Sequence, residues 1–267
     1  DTNGAVNLTS AKLSLADLSG SSTSSMKDLT GVDFEKADLT GADLSNTTMT
    51  GAILDGAKLT SAVNASGATV KANLTGADLT NAKLVKADLT DATLTNAKLS
   101  GADLTGAILT GTTLTGITMR DDTNGAVNLT SAKLSLADLA GSSSSSMNDL
   151  TGVDFEKADL TGADLSYTTM TGAILSGANL TKVVSGSTTT VANLTGADLS
   201  NAKLLKADLT DANLTSAKLS GADLTGAILT GTTLASITMR DDTNGAVNLT
   251  SAKLSLADLA GSSSSSM

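Results

Sequence analysis

From Asp28 onward the chain can be cut into fives: "ADLTG ADLSN TTMTG AILDG AKLTS" from Ala37, then "ANLTG ADLTN AKLVK ADLTD ATLTN AKLSG ADLTG AILTG TTLTG" from Ala72. Taking the Leu of each pentad as its centre, the centres include Leu29, Phe34, Leu39, Leu44, Met49, Leu54 and Leu59, then run from Leu74 to Met119 without a slip. Ala stands two places before most of them, and Asp, Asn, Lys, Thr, Ser or Gly fill the rest. This period fails as a helix. Residues two apart lie about 200° around a helix, and a step of five moves the Leu by about 140°, so no apolar face forms. On a strand, Ala and Leu two apart share one side. The alternation must nevertheless be re-phased at every pentad, so the chain has to turn a corner there, and Gly, Asn and Ser after each centre suit a corner. The product is a solenoid of very short strands with Leu and Ala inside and polar residues outside.

These pentads resemble the pentapeptide-repeat family, whose grammar is A-(D/N)-L-X-X, over almost the whole chain. The resemblance implies an all-β fold: a right-handed, four-sided β-helix with four pentads per coil and the centres stacked along its axis. Leu29, Phe34, Leu39, Leu44, Leu74, Leu79, Leu84, Leu89, Leu104 and Phe155 are the expected core. The family's members do many different things, so function does not follow from the fold.

Four sides also emerge from the lags. Apolar centres fail at Asn64, Thr69, Asn124 and in the serine run before Leu150, and three of these four failures fall a multiple of four pentads apart. They are expected on one side of a four-sided coil, with the serine bulge one coil above the Asn124 stretch. Asp38, Lys58, Asp78 and Lys98 follow one another at intervals of four pentads. They are expected to stack on one face, alternating in sign, at the strand spacing of about 4.8 Å.

A longer repeat overlies the pentads. "DTNGAVNLTSAKLSLADL" occurs at Asp1, Asp122 and Asp242, dividing the chain into residues 1–121, 122–241 and the start of a third unit at 242–267. Read as 24 pentads plus one residue, the first unit makes six coils and rises roughly 29 Å at the strand spacing. Residues 1–267 then form one continuous rod of about 13 coils, on the order of 64 Å long. Near-identical tandem units, and a text that starts and stops inside one, are expected of a window on a longer repetitive rod.

Composition narrows the chemistry. The chain has no Cys, His, Trp or Pro, one Tyr and two Phe. It therefore lacks an imidazole base, a thiolate nucleophile, the usual zinc ligands and a disulfide framework. No nucleophile elbow, phosphate-binding glycine loop or zinc-helix motif is present, and an enzyme is not expected. The net charge of −10 comes from singly scattered charges. That argues against a nucleic-acid surface, which needs a basic patch and stacking aromatics. No apolar run reaches the ~20 residues of a membrane span, and no small-molecule substrate is indicated.

Candidate sites are few. "RDDTNGAVN" from Arg120, repeated from Arg240, gathers Asp121, Asp122 and Asn124 before a Gly. Such oxygens suit calcium, although the spacing completes no known calcium loop and the same residues are ordinary turn formers. No other cofactor is expected. The serine bulge is a loop or a site of O-glycosylation or lateral contact, and sequons such as Asn7-Leu8-Thr9 arise from the pentad grammar itself. Outward apolar residues, Leu15, Ile53, Val85, Leu136, Ile174 and Leu205, are candidates for lateral contacts.

The functional expectation is a structural β-solenoid, a segment of a rigid extracellular or cell-surface fibre that self-associates end to end or laterally. The alternative is an interaction module. Columns of Thr that follow the centres suit an adhesive or ice-binding surface, although interleaved Asp and Lys interrupt them, and the acidic balance suits a DNA mimic of the gyrase-protecting type.

Overall fold

The computed structural model describes residues 6–21, 25–121, 124–140, 147–241 and 243–255. The chain divides into two compact units, Asp1–Lys133 and Leu134–Met267, and each is a right-handed, four-sided β-helix.

Parallel bridges define the sides. In the first unit, the residue before each centre stacks on its counterpart one coil away, giving four columns. The first side runs Asn7, Asp33, Ile53, Lys83, Asp103, Asn128; the second Lys12, Asp38, Lys58, Asp88, Ile108, Lys133. The third runs Asp17, Asp43, Asn73, Thr93, Thr113; the fourth Asp28, Thr48, Asp78, Lys98, Thr118. The basic step is four pentads, as in Asp38 to Lys58 and Asp78 to Lys98. Four pentads therefore close one coil.

One pentad explains the grammar, because each of its N–H groups has a partner. In residues 37–41, Ala37 donates to the Phe34 carbonyl at 2.9 Å, closing the corner, and Asp38 donates to Ala11 at 2.8 Å in the preceding coil. Leu39 and Gly41 donate forward to Lys58 at 2.8 Å and Thr60 at 2.7 Å. That leaves the N–H of Thr40, which the ladder does not reach, and Asp38 Oδ1 accepts it at 3.1 Å. The same cap recurs at Asp78 with Thr80, Asp88 with Thr90, Asn73 with Thr75 and Asp208 with Thr210. Asp or Asn before the centre is a local device for satisfying the one donor a turning strand would leave to solvent.

The corners need a left-handed residue. Two places after most centres φ is positive, at Gly31, Gly41 and Gly51 but also at Lys36, Asn46, Asn81 and Lys86. A turn closed by a bond from residue four to residue one, with positive φ at its third residue, is type II, which favours Gly and tolerates Asn. Leu15 and Leu136 also occupy this conformation, at φ 60 and 59. They do so against the steric preference of a bulky side chain.

Inside, Ala and Leu fill the coil. Phe34, Leu39, Leu44, Leu74, Leu79, Leu84, Leu89, Leu104 and Phe155 are all fully buried. Leu29 departs from the expected core and is half-buried. It stands in the outermost described row of the fourth side, with Met49 stacked on one face of it only. Where Thr replaces the inward Ala, its hydroxyl is satisfied by backbone: Thr47 donates to the Leu44 carbonyl at 2.7 Å and Thr112 to Leu89 at 3.1 Å.

The apolar failures are insertions, not sides, and this corrects the reading of six coils per long unit. The third side steps from Asp43 to Asn73, two pentads more than a coil, because the chain leaves the corner between second and third sides as an antiparallel hairpin. Labelling the named strands in chain order, β1 (Lys27–Asp28) and β2 (Thr47–Thr48) belong to the fourth side, and this hairpin is β3 (Ala62–Val63) and β4 (Thr69–Val70). The longer step from Asp103 to Asn128 contains a second hairpin, β5 (Arg120–Asp121) and β6 (Gly125–Ala126), at the corner between fourth and first sides. The longer step from Asp17 to Asp43 contains the serine segment, between third and fourth sides. Its residues 22–24, and 141–146 of its copy, lie outside the described residues. The insertions thus occupy three different corners, and the serine segment does not sit above the Asn124 stretch. An insertion is bounded by pentads but adds no side, so counting pentads through it misplaces everything beyond.

In the second unit, β7 (Asn148–Asp149) pairs with β8 (Thr168–Thr169) on the fourth side. The hairpins recur as β9 (Val183–Ser185) with β10 (Thr188–Thr190), and β11 (Arg240–Asp241) with β12 (Gly245–Ala246). The step from Asp164 to Asn193 is one residue shorter than that from Asp43 to Asn73, so the residue missing from this unit was lost from its hairpin.

Two measurements test this geometry. Asp88→Ala removes a cap and is expected to cost about 1 kcal/mol in denaturant unfolding, while Asp88→Asn, which still accepts the bond, is near neutral. Leu84→Ala is expected to cost about 3 kcal/mol through its cavity, and Leu104→Asp to abolish the folded circular-dichroism spectrum by burying an unpaired charge.

Candidate interaction surface

The side-chain columns sort charge by position. On the second side of the first unit Lys12, Asp38, Lys58 and Asp88 alternate in sign from coil to coil. On the fourth side Lys98 stacks on Asp78, with its Nζ 3.4 Å from Oδ2. The charge ladder expected on one face is therefore split between two. Asp38 stacks on Lys58 and Asp78 on Lys98, but the insertion at 61–70 carries Lys58 on to Asp88 and brings Asp78 onto Thr48. An exposed ion pair of this kind contributes little, of order 0–1 kcal/mol.

Hydrogen bonding sets the carboxylates more than these pairings do. The Thr40 hydroxyl, then the Thr40 N–H, hold the Asp38 carboxyl below its usual value, with Lys58 and Lys12 contributing less. Asp223 is lowered in the same way by Thr225. In Asp28 the Thr30 hydroxyl dominates.

A cleft at the surface is formed by the first hairpin. It measures about 360 Å³ and is lined by Leu15, Ala16, Asp17, Gly41, Asp43, Asn64 and Val70. The hairpin is held down onto the corner there. A Cβ built on Gly41 would lie 2.9 Å from Ala62 Cβ, 2.9 Å from Leu15 Cδ2 and 3.2 Å from the Val70 carbonyl, so only glycine fits where β3, β4 and Leu15 converge. Gly162 repeats this, hemmed in by Leu136, Val183 and the Thr190 carbonyl. Leu15 is 42% and Val63 68% exposed, so the cleft opens beside apolar surface.

Asp17 and Asp43 stack directly in the wall of this cleft. Among the described residues they and their copies, Asp138 and Asp164, are the only like-charged partners in the parallel columns. Sequence reasoning missed this pair because the serine segment lengthens its lag beyond four pentads. Searching for like charges at the lag between the near-identical pentads "ADLSG" and "ADLSN" would have found it. The outward residues Ile53, Val85 and Ile174 are half-buried in the faces, while Leu136 and Leu205 are 44% and 40% exposed.

At the calcium candidates, Asp122 lies outside the described residues, as does the side chain of Asp121. Asn124 Oδ1 accepts a bond from Asn81 Nδ2 at 2.8 Å. In the second copy, Asp241 Oδ1 accepts the N–H of Thr243 at 2.9 Å and of Asn244 at 2.5 Å, and Oδ2 accepts Asn244 Nδ2 at 3.0 Å. The Asn244 N–H is the chief cause of a lowered pKa at Asp241. This carboxylate caps its own turn. Among the described residues no group of three or more acidic side chains is arranged to hold a metal ion, and no helix is long and apolar enough to cross a membrane.

The model of pentapeptide repeats matches in eight copies, over residues 28–63, 72–120, 149–184 and 192–231. The chain belongs to the pentapeptide-repeat family. The matched stretches leave out most of the serine segments and of the loops that follow β3 and β5, where the chain departs from the coil. Among solved structures, HetL from the cyanobacterium Nostoc sp. strain PCC 7120, a pentapeptide-repeat protein involved in regulating heterocyst differentiation, is 31% identical. That match covers 95% of this chain and 87% of HetL, with a TM-score of 0.55. A trypsin-treated form of QnrB1, a plasmid-mediated fluoroquinolone resistance protein, is 22% identical over 80% of this chain and 89% of that one, with a TM-score of 0.43. No curated protein sequence matches the chain.

The depressed carboxyls set a pH limit. Asp38 and Asp223 have folded pKa values below the ordinary 3.8, so their contribution to stability is complete above that value and is lost as pH falls through the lower folded values. Unfolding midpoints are expected to drop as pH is lowered below about 3.8. In NMR titration, Thr40→Ala is expected to move the Asp38 carboxyl up toward its ordinary value.

Proposed function

We propose that the chain is a non-catalytic interaction scaffold, whose rigid β-helix carries partner-binding segments at its corners. The observation behind this reading is the placement of the hairpins. The coil satisfies its own backbone and fills its own core, yet in both units a hairpin leaves the same corner and is clamped onto a Gly-floored seat under a strained, exposed Leu. A purely architectural coil has no use for such an appendage, whereas binding elements are commonly loops held on a rigid frame. The similarity to HetL, a protein with a regulatory role, supports the same direction.

A second reading has its own observation. The recurrence of one long string at Asp1, Asp122 and Asp242 favours tandem extension, and with it a structural solenoid in a rigid extracellular or cell-surface fibre. Such a fibre needs self-association, through stacked coil ends or lateral contacts. Electron microscopy and sedimentation separate the two readings: discrete particles of single-chain mass favour the scaffold, and filaments many chains long favour the fibre. For the scaffold, crosslinking in the native host is expected to recover a protein with the intact chain and not with a chain whose residues 61–70 are replaced by a short glycine linker. Equal recovery with both would overturn it.

A further inference from the structure

Building on the scaffold reading, we propose that the cleft beneath the first hairpin is a receptor for a lysine side chain presented by a partner protein. Its walls divide by chemistry. Leu15, Ala16 and Val70 provide an apolar strip, and Asp17 and Asp43 stand one above the other beside it. Adjacent strands lie about 4.8 Å apart, so the two carboxylates face one point in the cleft from neighbouring coils.

The pair is unusual in this chain. Elsewhere in the parallel columns of the described residues, charged neighbours have opposite signs: Lys12 with Asp38, Asp38 with Lys58, Lys83 with Asp103, Lys203 with Asp223. Like charges placed directly opposite destabilise a sheet, yet this pair is present in both units. The local bonds do not neutralise it. Asp17 Oδ1 accepts from the N–H and hydroxyl of Ser19 at 3.0 and 2.6 Å, and Asp43 Oδ1 accepts from the Ser45 N–H at 3.0 Å and Asn73 Nδ2 at 3.1 Å. All these bonds fall on Oδ1. Among the described residues, Oδ2 of each has no partner, and neither carboxylate is in an ion pair. Lys27 is the one cation acting on Asp17 among them, and it is the weakest of the influences there.

A lysine answers each of these features. Its ammonium is a compact cation with three donors that can bridge both Oδ2 atoms, and its methylene stem can lie along Leu15, Ala16 and Val70. The cleft volume of about 360 Å³ is at the lower end of ligand pockets, room for one long side chain and not for a folded element. Charge favours such a partner as well: the chain carries −10 overall, so a basic protein is drawn to it. The second unit repeats the stacked pair as Asp138 and Asp164, with Gly162 hemmed in by Leu136 and Val183, but Thr190 stands there where the first unit has Val70.

The test is NMR titration of the whole chain, at physiological ionic strength, with the peptide acetyl-Gly-Lys-Gly-amide. Norleucine in place of the lysine serves as the uncharged match, and free butylammonium as the small amine. Saturable shifts are expected at the amides of Leu15, Ser19 and Ser45, with binding at least tenfold weaker for the norleucine peptide and for the double variant D17N/D43N. Asn keeps the Oδ1 caps, so that variant retains the fold, and its unchanged spectrum elsewhere checks this. Shifts no larger at these amides than at other Asp columns, or no loss in D17N/D43N, would overturn the proposal. Tighter binding of butylammonium than of the peptide would overturn the partner-protein source. Peptide binding without any hairpin-dependent partner in crosslinking would leave the cleft chemistry standing and count against the scaffold reading alone.

Discussion

Everything in this molecule depends on the four-pentad step at which backbone donors meet acceptors, as Leu39 meets Lys58 and Leu79 meets Lys98. A strand only a few residues long has too little surface to hold itself together. Stacked in register, each short strand pairs above and below, and its inward Ala and Leu join columns that run the length of a unit. The pentad is the shortest text that meets these demands together. It has one small and one large inward residue, one outward residue that can cap the N–H beyond the ladder, and one corner residue that tolerates positive φ. The residue choices are thus consequences of backbone geometry, with the hydrophobic core filling the space that geometry leaves.

That division of labour explains the tolerance of the faces. Ile53, Lys58, Asp78 and Thr93 occupy equivalent outward positions with different chemistry, because the ladder uses their backbone and not their side chains. Insertions are tolerated for a related reason. A chain leaving at a corner interrupts no side, and it can rejoin if it returns to within one strand spacing. The hairpins β3–β4 and β9–β10 do so, and their different lengths leave the coils around them in the same arrangement. Solenoids vary in this way without losing stability because each coil answers only to its neighbours.

Much of this was legible in the residues. The period of five excluded a helix, the Ala–Leu spacing identified the inward face, and Phe34, Leu39 and Leu104 are buried as their positions required. What sequence could not supply was register beyond an insertion. "AVNAS" and "GATVK" occupy the span of two pentads and look like degenerate sides, yet they form a hairpin. That misreading moved Asp78 onto the column of Lys58 and added half a coil, the second hairpin and the serine segment supplying the other half of a coil that the unit does not have. The lag lengthened by the serine segment likewise hid the stacking of Asp17 on Asp43. The role of Asp before the centre was open to inference from the frequent D-L-T triplet, but only the hydrogen bonds identify the Thr N–H as the donor it caps. Leu29 illustrates the remaining limit: its pentad is regular, and only its place at the end of a column leaves it half-exposed.

The central claim, a coil of four pentads with insertions excluded from the sides, can be tested by crosslinking because the chain has no native cysteine. In the double variant D43C/N73C, six pentads apart in sequence but neighbours on the third side, a disulfide is expected to form under mild oxidation, since adjacent strands place Cα atoms about 4.8 Å apart, within disulfide range. In D43C/V63C, separated by the nominal coil length, none is expected, because Val63 is in the hairpin. Crosslinking of the second pair and not the first would mean that residues 61–70 form sides of the coil and that the register described for every column beyond them is wrong.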